Sequence, residues 1–174
     1  MKALKIIKES RYFNMIPLII TLIPILMGII SGLRVRPNDE ISSGILDILN
    51  RMGIFEKPEL RNLWIKIIIH NLSLSLLVGM LGLISGGIFT ILYLFSWWSL
   101  WIETIKINSI AKCFFFIPES IGITVVVLFS MYIGLNYLVY RRYSKYQIAL
   151  FLTGIALIAI GGVIEQYEIM AFIK

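Results

Sequence analysis

Polar residues gather in clusters along this chain, and between the clusters lie long runs without Asp, Glu, Lys or Arg. The first run is Tyr12 to Leu33 and the longest is Ile67 to Ile102. Two more begin near Cys113, where Glu119 is the only interruption, and near Tyr146. Apolar runs of about 18 residues or more are long enough for a helix to cross a bilayer core. The 36 residues from Ile67 to Ile102 are too many for one crossing. As a straight helix they would measure roughly 54 Å at about 1.5 Å per residue, against a core of about 30 Å. The run must turn. Ser85-Gly86-Gly87 is its best turn signal, dividing it into spans of about 67–85 and 88–105. A competing turn at Ser96-Trp97-Trp98-Ser99 would place tryptophans in a headgroup belt; the glycine turn is preferred.

The expected fold is therefore all-α, a polytopic transmembrane bundle of about five spans: 12–33, 67–85, 88–105, 113–140 and 146–164. All of residues 1–174 form one integral membrane domain. Lys2, Lys5, Lys8 and Arg11 make a basic head over residues 1–11. The run behind them is longer than a signal-peptide core, contains Pro17 and Pro24, and ends in Gly-Leu-Arg. It reads as a retained span. Within it, Gly28 and Gly32 stand in a small-xxx-small relation that permits close helix approach.

Residues 34–66 mix six basic and five acidic residues with Ile45, Ile48, Leu49 and Met52 at helical spacing. Ser42 or Ser43 would cap that helix and Gly53 would end it. Pro58 restarts a second piece, with Leu60 and Trp64 towards the bilayer. These features predict amphipathic interfacial helices over 40–66. "ETIKINSIAK" (103–112) reads as a polar link and "RRYSK" (141–145) as a basic loop, and the last span ends near Ile164, before Glu165 and Glu168. The positive-inside rule places the basic head and "RRYSK" together on the inside, but the six basic residues of 34–66 then fall outside and nearly balance the count.

Composition agrees with this reading. The chain is 59% hydrophobic, whereas soluble domains are about 45–50% apolar, and its mean hydropathy is +0.89. A net charge of +6 in such a chain points to anionic headgroups, not nucleic acid, since no basic stripe alternates with exposed aromatics. The single cysteine, Cys113, allows neither an internal disulfide nor a cysteine metal cage; no metal or cofactor is expected. Catalysis finds no support: there is one histidine, and no nucleophile elbow, zinc-protease motif or phosphate-binding loop. The chain reads as a non-enzyme of the cell membrane.

Polar groups inside a membrane are costly and suggest function by default. His70, Asn71, Glu119 and Glu165 are the candidates, each about one turn inside the end of a span. At such a place a polar side chain can also reach headgroups or cap a neighbouring backbone. Asn71, Ser75, Gly79, Gly82 and Gly86 step by four, four, three and four, and so share one helix face. A stripe of that kind is a packing seam. Pro118-Glu119-Ser120 would suit a broken helix at an ion site, or a plain helix start with Pro in the first turn and Glu favoured by the dipole.

The ordered landmarks "IIIHNLSLSLLVGMLGLISGGIFTILYLF", "FFFIPESIG" and "ALIAIGGVIEQYEI" resemble the stage II sporulation protein M family of small multi-span proteins. The resemblance covers roughly residues 65–170 and matches at His70, Asn71, Gly79, Gly86, Thr90, Pro118 and Glu165. It departs at Glu119-Ser120, where the family tends to have His-Gly, at Ile123, where it tends to have Glu, and at Ser96-Trp97, where it tends to have Asn-Gly. The resemblance implies one of two roles. One is a membrane scaffold for sporulation and cell-wall-remodelling partners. The other belongs to compact members linked to export of, and immunity to, cationic circular bacteriocins. Brevity, basic character and the departures favour the second. It would entail other membrane subunits, an ABC-type ATPase, a cationic peptide and the bilayer itself as partners, with self-association also open. A third reading is an ion or proton pathway using His70 with Glu119 or Glu165.

Overall fold

A computed structural model describes residues 15–34, 62–108, 113–140 and 145–173. Among these residues it is an all-α bundle of five helices: α1 (Ile16–Arg34), α2 (Leu63–Ile84), α3 (Ile88–Asn108), α4 (Phe116–Tyr140) and α5 (Lys145–Ile173). Each is long and apolar enough to cross a membrane, which makes this a multi-pass membrane protein. Surfaces of α1 such as Ile19, Ile23, Leu26, Met27 and Ile30 stay exposed, as lipid-facing residues do.

Several boundaries differ from the sequence expectation. α2 begins at Leu63, so the end of the anticipated interfacial segment belongs to a spanning helix. The remainder of 40–61, the basic head and residues 141–144 lie outside the described residues. α3 continues to Asn108 through half of the anticipated polar link, and α5 runs past Glu165 and Glu168 to Ile173. The reason is the same in both cases. Charged residues end an apolar stretch, but Glu, Gln and Met are good helix formers, and neither extension contains Gly or Pro.

The turn does fall at Ser85–Gly87, and the Ser96–Ser99 stretch is uninterrupted helix. Gly86 has φ +64° and Gly87 φ +100°, and the Gly87 N–H donates to the Gly82 carbonyl at 2.7 Å. That closure around a left-handed residue is a Schellman ending. It also corrects the expected role of Gly86. The residue continues the four-step stripe on paper, but the helix has already ended, and Gly86 stands in open space rather than in a packing seam.

Glycines set the helix contacts. A methyl group at Gly28 would stand 2.5 Å from the Phe95 carbonyl oxygen, and one at Gly32 2.6 Å from that of Ser99. α1 and α3 therefore lie backbone to backbone. Ile20 meets Gly87 at their other end, so the two run parallel. α4 and α5 are antiparallel: Gly122 faces Gly154 and Ile158, and Gly161 faces the backbone of Glu119. α2 runs beside α4, with Gly79 under Ser130 and Gly82 under Thr90 of α3. Ile25, Val78, Leu94, Ile123, Val126, Val127 and Ile158 fill the middle.

Three helix ends at one end of the bundle are capped by neighbouring helices. The Lys106 ammonium of α3 donates to the last carbonyls of α1, at Gly32 (3.1 Å) and Leu33 (3.0 Å). The Gln166 side chain of α5 accepts the Trp64 N–H of α2 at 2.8 Å. The Glu168 carboxylate accepts from the N–H groups of Phe115 and Phe114, at the head of α4. Terminal groups that have no partner within their own helix are thereby bonded.

Gly161→Val should lower unfolding stability in detergent by about 1–3 kcal/mol, the usual cost of overpacking, because the atoms it meets are the Glu119 backbone. Gly86→Asn, in open space and in a conformation Asn tolerates, should cost much less. Thermal or SDS-induced unfolding followed by circular dichroism compares the two.

Candidate functional site

Glu119 lies in the first turn of α4, directly after Pro118, whose fixed φ suits a helix start. Of the two readings of Pro118-Glu119-Ser120, the structure has the plain start: α4 continues unbroken to Tyr140. Yet the Glu119 side chain is turned inward, with only 2% of the residue exposed. Gly161 makes this possible, because its missing side chain lets α5 lie on the Glu119 backbone.

The Asn71 side-chain amide of α2 donates to Glu119 Oε1. Asn71 is itself held in place: the Ser75 hydroxyl donates to its backbone carbonyl at 2.6 Å, and both residues are buried. On the α3 side, Trp97 Nε1–H donates to the fully buried Ser120 hydroxyl at 2.8 Å. Tyr93 stacks on Trp97 with ring centroids 5.8 Å apart, and its hydroxyl is within electrostatic reach of Glu119. The aromatic row continues from Trp97 to Trp101, whose ring stacks on Phe116 at 4.8 Å. On the α5 side, half-buried Glu165 interacts electrostatically with Glu119 and with Glu168.

Four atoms in this region are buried without a hydrogen-bond partner: Glu119 Oε2, Glu168 Oε2, the Tyr93 hydroxyl and Trp101 Nε1. None of the three glutamates forms a salt bridge among the described residues. Nor, among those residues, do three His, Cys, Asp or Glu side chains gather as a metal-holding group. The site is thus a cluster of carboxyl groups, one of them buried and hydrogen-bonded, beside an aromatic wall. It is suited to holding positive charge or a proton.

Of the residues singled out from the sequence, Asn71, Glu119 and Glu165 come together here. His70 does not: one position round the helix from Asn71, it is exposed. Ser75, Gly79 and Gly82 line the α2 seam, while Gly28 and Gly32 line the separate α1–α3 seam. Sequence reasoning missed Tyr93, Trp97, Ser120, Glu168 and Gly161. The four-residue steps from Tyr93 to Trp97 to Trp101 were a usable signal for one aromatic face, and Gly154 with Gly161, two turns apart, for a second seam. Comparison with family models, with curated proteins and with solved structures found no match for this chain.

Asn71→Leu removes the one hydrogen bond that the described residues give the Glu119 carboxyl group and should destabilise the fold by about 1–3 kcal/mol, the cost of an unsatisfied buried acceptor. Asn71→Leu combined with Glu119→Leu should recover most of that loss, since the orphaned group is gone. A double-mutant cycle on unfolding in detergent measures the coupling.

Proposed function

We propose that this chain is a non-catalytic subunit of the cell membrane that takes part in export of, or immunity to, a cationic peptide of the circular-bacteriocin type. An ATPase or other membrane subunits would supply energy and complete the complex. The observation that carries this reading is the convergence of Glu119, Glu165 and Glu168 at one end of the bundle without an ion pair among the described residues. Glu165 and Glu168, half-buried, offer negative charge near the bundle end, above the buried carboxyl group of Glu119. Such a field concentrates a Lys- or Arg-rich peptide close to the headgroups, where the local dielectric weakens screening.

The resemblance to the stage II sporulation protein M family supports the same choice. Glu119 stands where that family tends to have a His-Gly pair, so the departure from the family pattern falls within the acidic cluster. The scaffold alternative places recruitment on residues 34–66, of which 35–61 lie outside the described residues. The acidic cluster favours the peptide.

Expressed in a host sensitive to a circular bacteriocin, with and without its neighbouring genes, the chain should raise survival. Glu119→Gln and Glu165→Gln should lower that protection while membrane insertion stays intact. Unchanged survival in every combination would remove the immunity role, and sporulation genes alongside this one would favour the scaffold.

A further inference from the structure

One oxygen of the Glu119 carboxyl group is held by Asn71 and the other is buried with nothing to bond. An ionised carboxylate in such a place needs a counter-ion, a metal or a proton, because desolvating it unpaired is prohibitively costly. Among the described residues no basic side chain pairs with it, and no third metal-ligating side chain completes a set with Glu119 and Glu165. A proton satisfies the geometry. A proton on Oε2 makes that oxygen a donor, and the buried Tyr93 hydroxyl, itself without a hydrogen-bond partner, is within electrostatic reach of the same carboxyl group.

The surroundings also define how a proton arrives. Three elements pack about Glu119, and each presents one group to it: Asn71 from α2, Tyr93 from α3 and Glu165 from α5. Glu165 in turn interacts with Glu168, which sits over the head of α4 at the bundle end. α1 carries no charged residue before Arg34. On the other side of Glu119 the interior closes: Ile123, Val126, Val127 and Ile158 are fully buried and apolar, and the buried Ser75 and Thr90 hydroxyls donate to the backbone carbonyls of Asn71 and Val78.

We propose that Glu119 is a proton-binding site within the membrane, held by Asn71 with Tyr93 nearby, reached from one face along Glu168 and Glu165, and blind towards the other face. Carboxyl chains carry protons in this way through membrane proteins. Here the chain stops at a hydrophobic floor, so the site takes up a proton and returns it to the same side. It senses the acidity of one compartment and does not conduct between two. This inference is independent of the peptide reading, because it stands or falls on the isolated protein.

The test uses the purified full chain in lipid nanodiscs and dicyclohexylcarbodiimide, an apolar reagent that attacks protonated carboxyl groups. The adduct is mapped by mass spectrometry. Glu119 should be labelled near neutral pH, and labelling should fall several-fold as the pH is raised. Glu119→Gln should abolish the adduct. Tyr93→Phe should keep it with a displaced pH profile, which a merely structural tyrosine would not cause. If Glu119→Gln fails to fold, mapping on the unaltered protein and the Tyr93→Phe profile still decide. Absence of label at Glu119 at every pH in folded protein, or labelling that does not respond to pH, would overturn the site. In proteoliposomes a pH gradient should persist as long as in empty vesicles; a leak removed by Tyr93→Phe or Glu119→Gln would overturn the blind end.

Discussion

Two helices in lipid gain little by hiding apolar surface from each other, because acyl chains are as apolar as leucine. What holds them is close approach, and close approach needs positions without side chains. The contact of Gly161 with the Glu119 backbone, continued by Gly122 against Gly154, meets that need for α4 and α5. Most of the polar interior follows from it. With α5 lying so near, the side chain of Glu119 points towards α2, where Asn71 meets it, and Glu165 is carried into range. A larger residue at position 161 would displace α5 and open the site.

Backbone groups at helix ends impose a second constraint, since they have no partner within their own helix. The bundle answers it by exchange between helices. Lys106 serves the end of α1, Gln166 the start of α2 and Glu168 the start of α4. Two of these three side chains come from the polar extension of α5. The extension thus does for the bundle what short capping motifs do within a soluble helix.

The fold was largely legible in the sequence because lipid imposes a simple rule on length and hydropathy, and Gly86 and Gly87 mark the tight turn between α2 and α3. Helix ends were less legible: Glu165 ends an apolar stretch but not a helix. The site was legible in part. Asn71 and Glu119 stand out singly as polar residues in apolar surroundings, yet nothing in a single sequence says that positions 48 apart share a hydrogen bond. Tyr93, Trp97 and Trp101 were hidden for a different reason. Aromatic residues suit a headgroup belt as well as a buried wall, and only the neighbouring α4 decides which they are. Glu168 was hidden because a charge beyond the expected end of a span looks like solvated surface.

The pairing of the helices also bears on the order in which the chain is assembled. Synthesis proceeds from the N-terminus, so α1 enters the bilayer before its neighbour α3 exists, and α4 before α5. α1 can wait, having no charge between Ile16 and Leu33. α4 brings a carboxyl group into lipid before Gly161 has been made. Asn71 is already in place by then, on α2. The Asn71–Glu119 hydrogen bond is therefore a provisional host for an acidic helix, receiving Glu119 until the last helix closes over it.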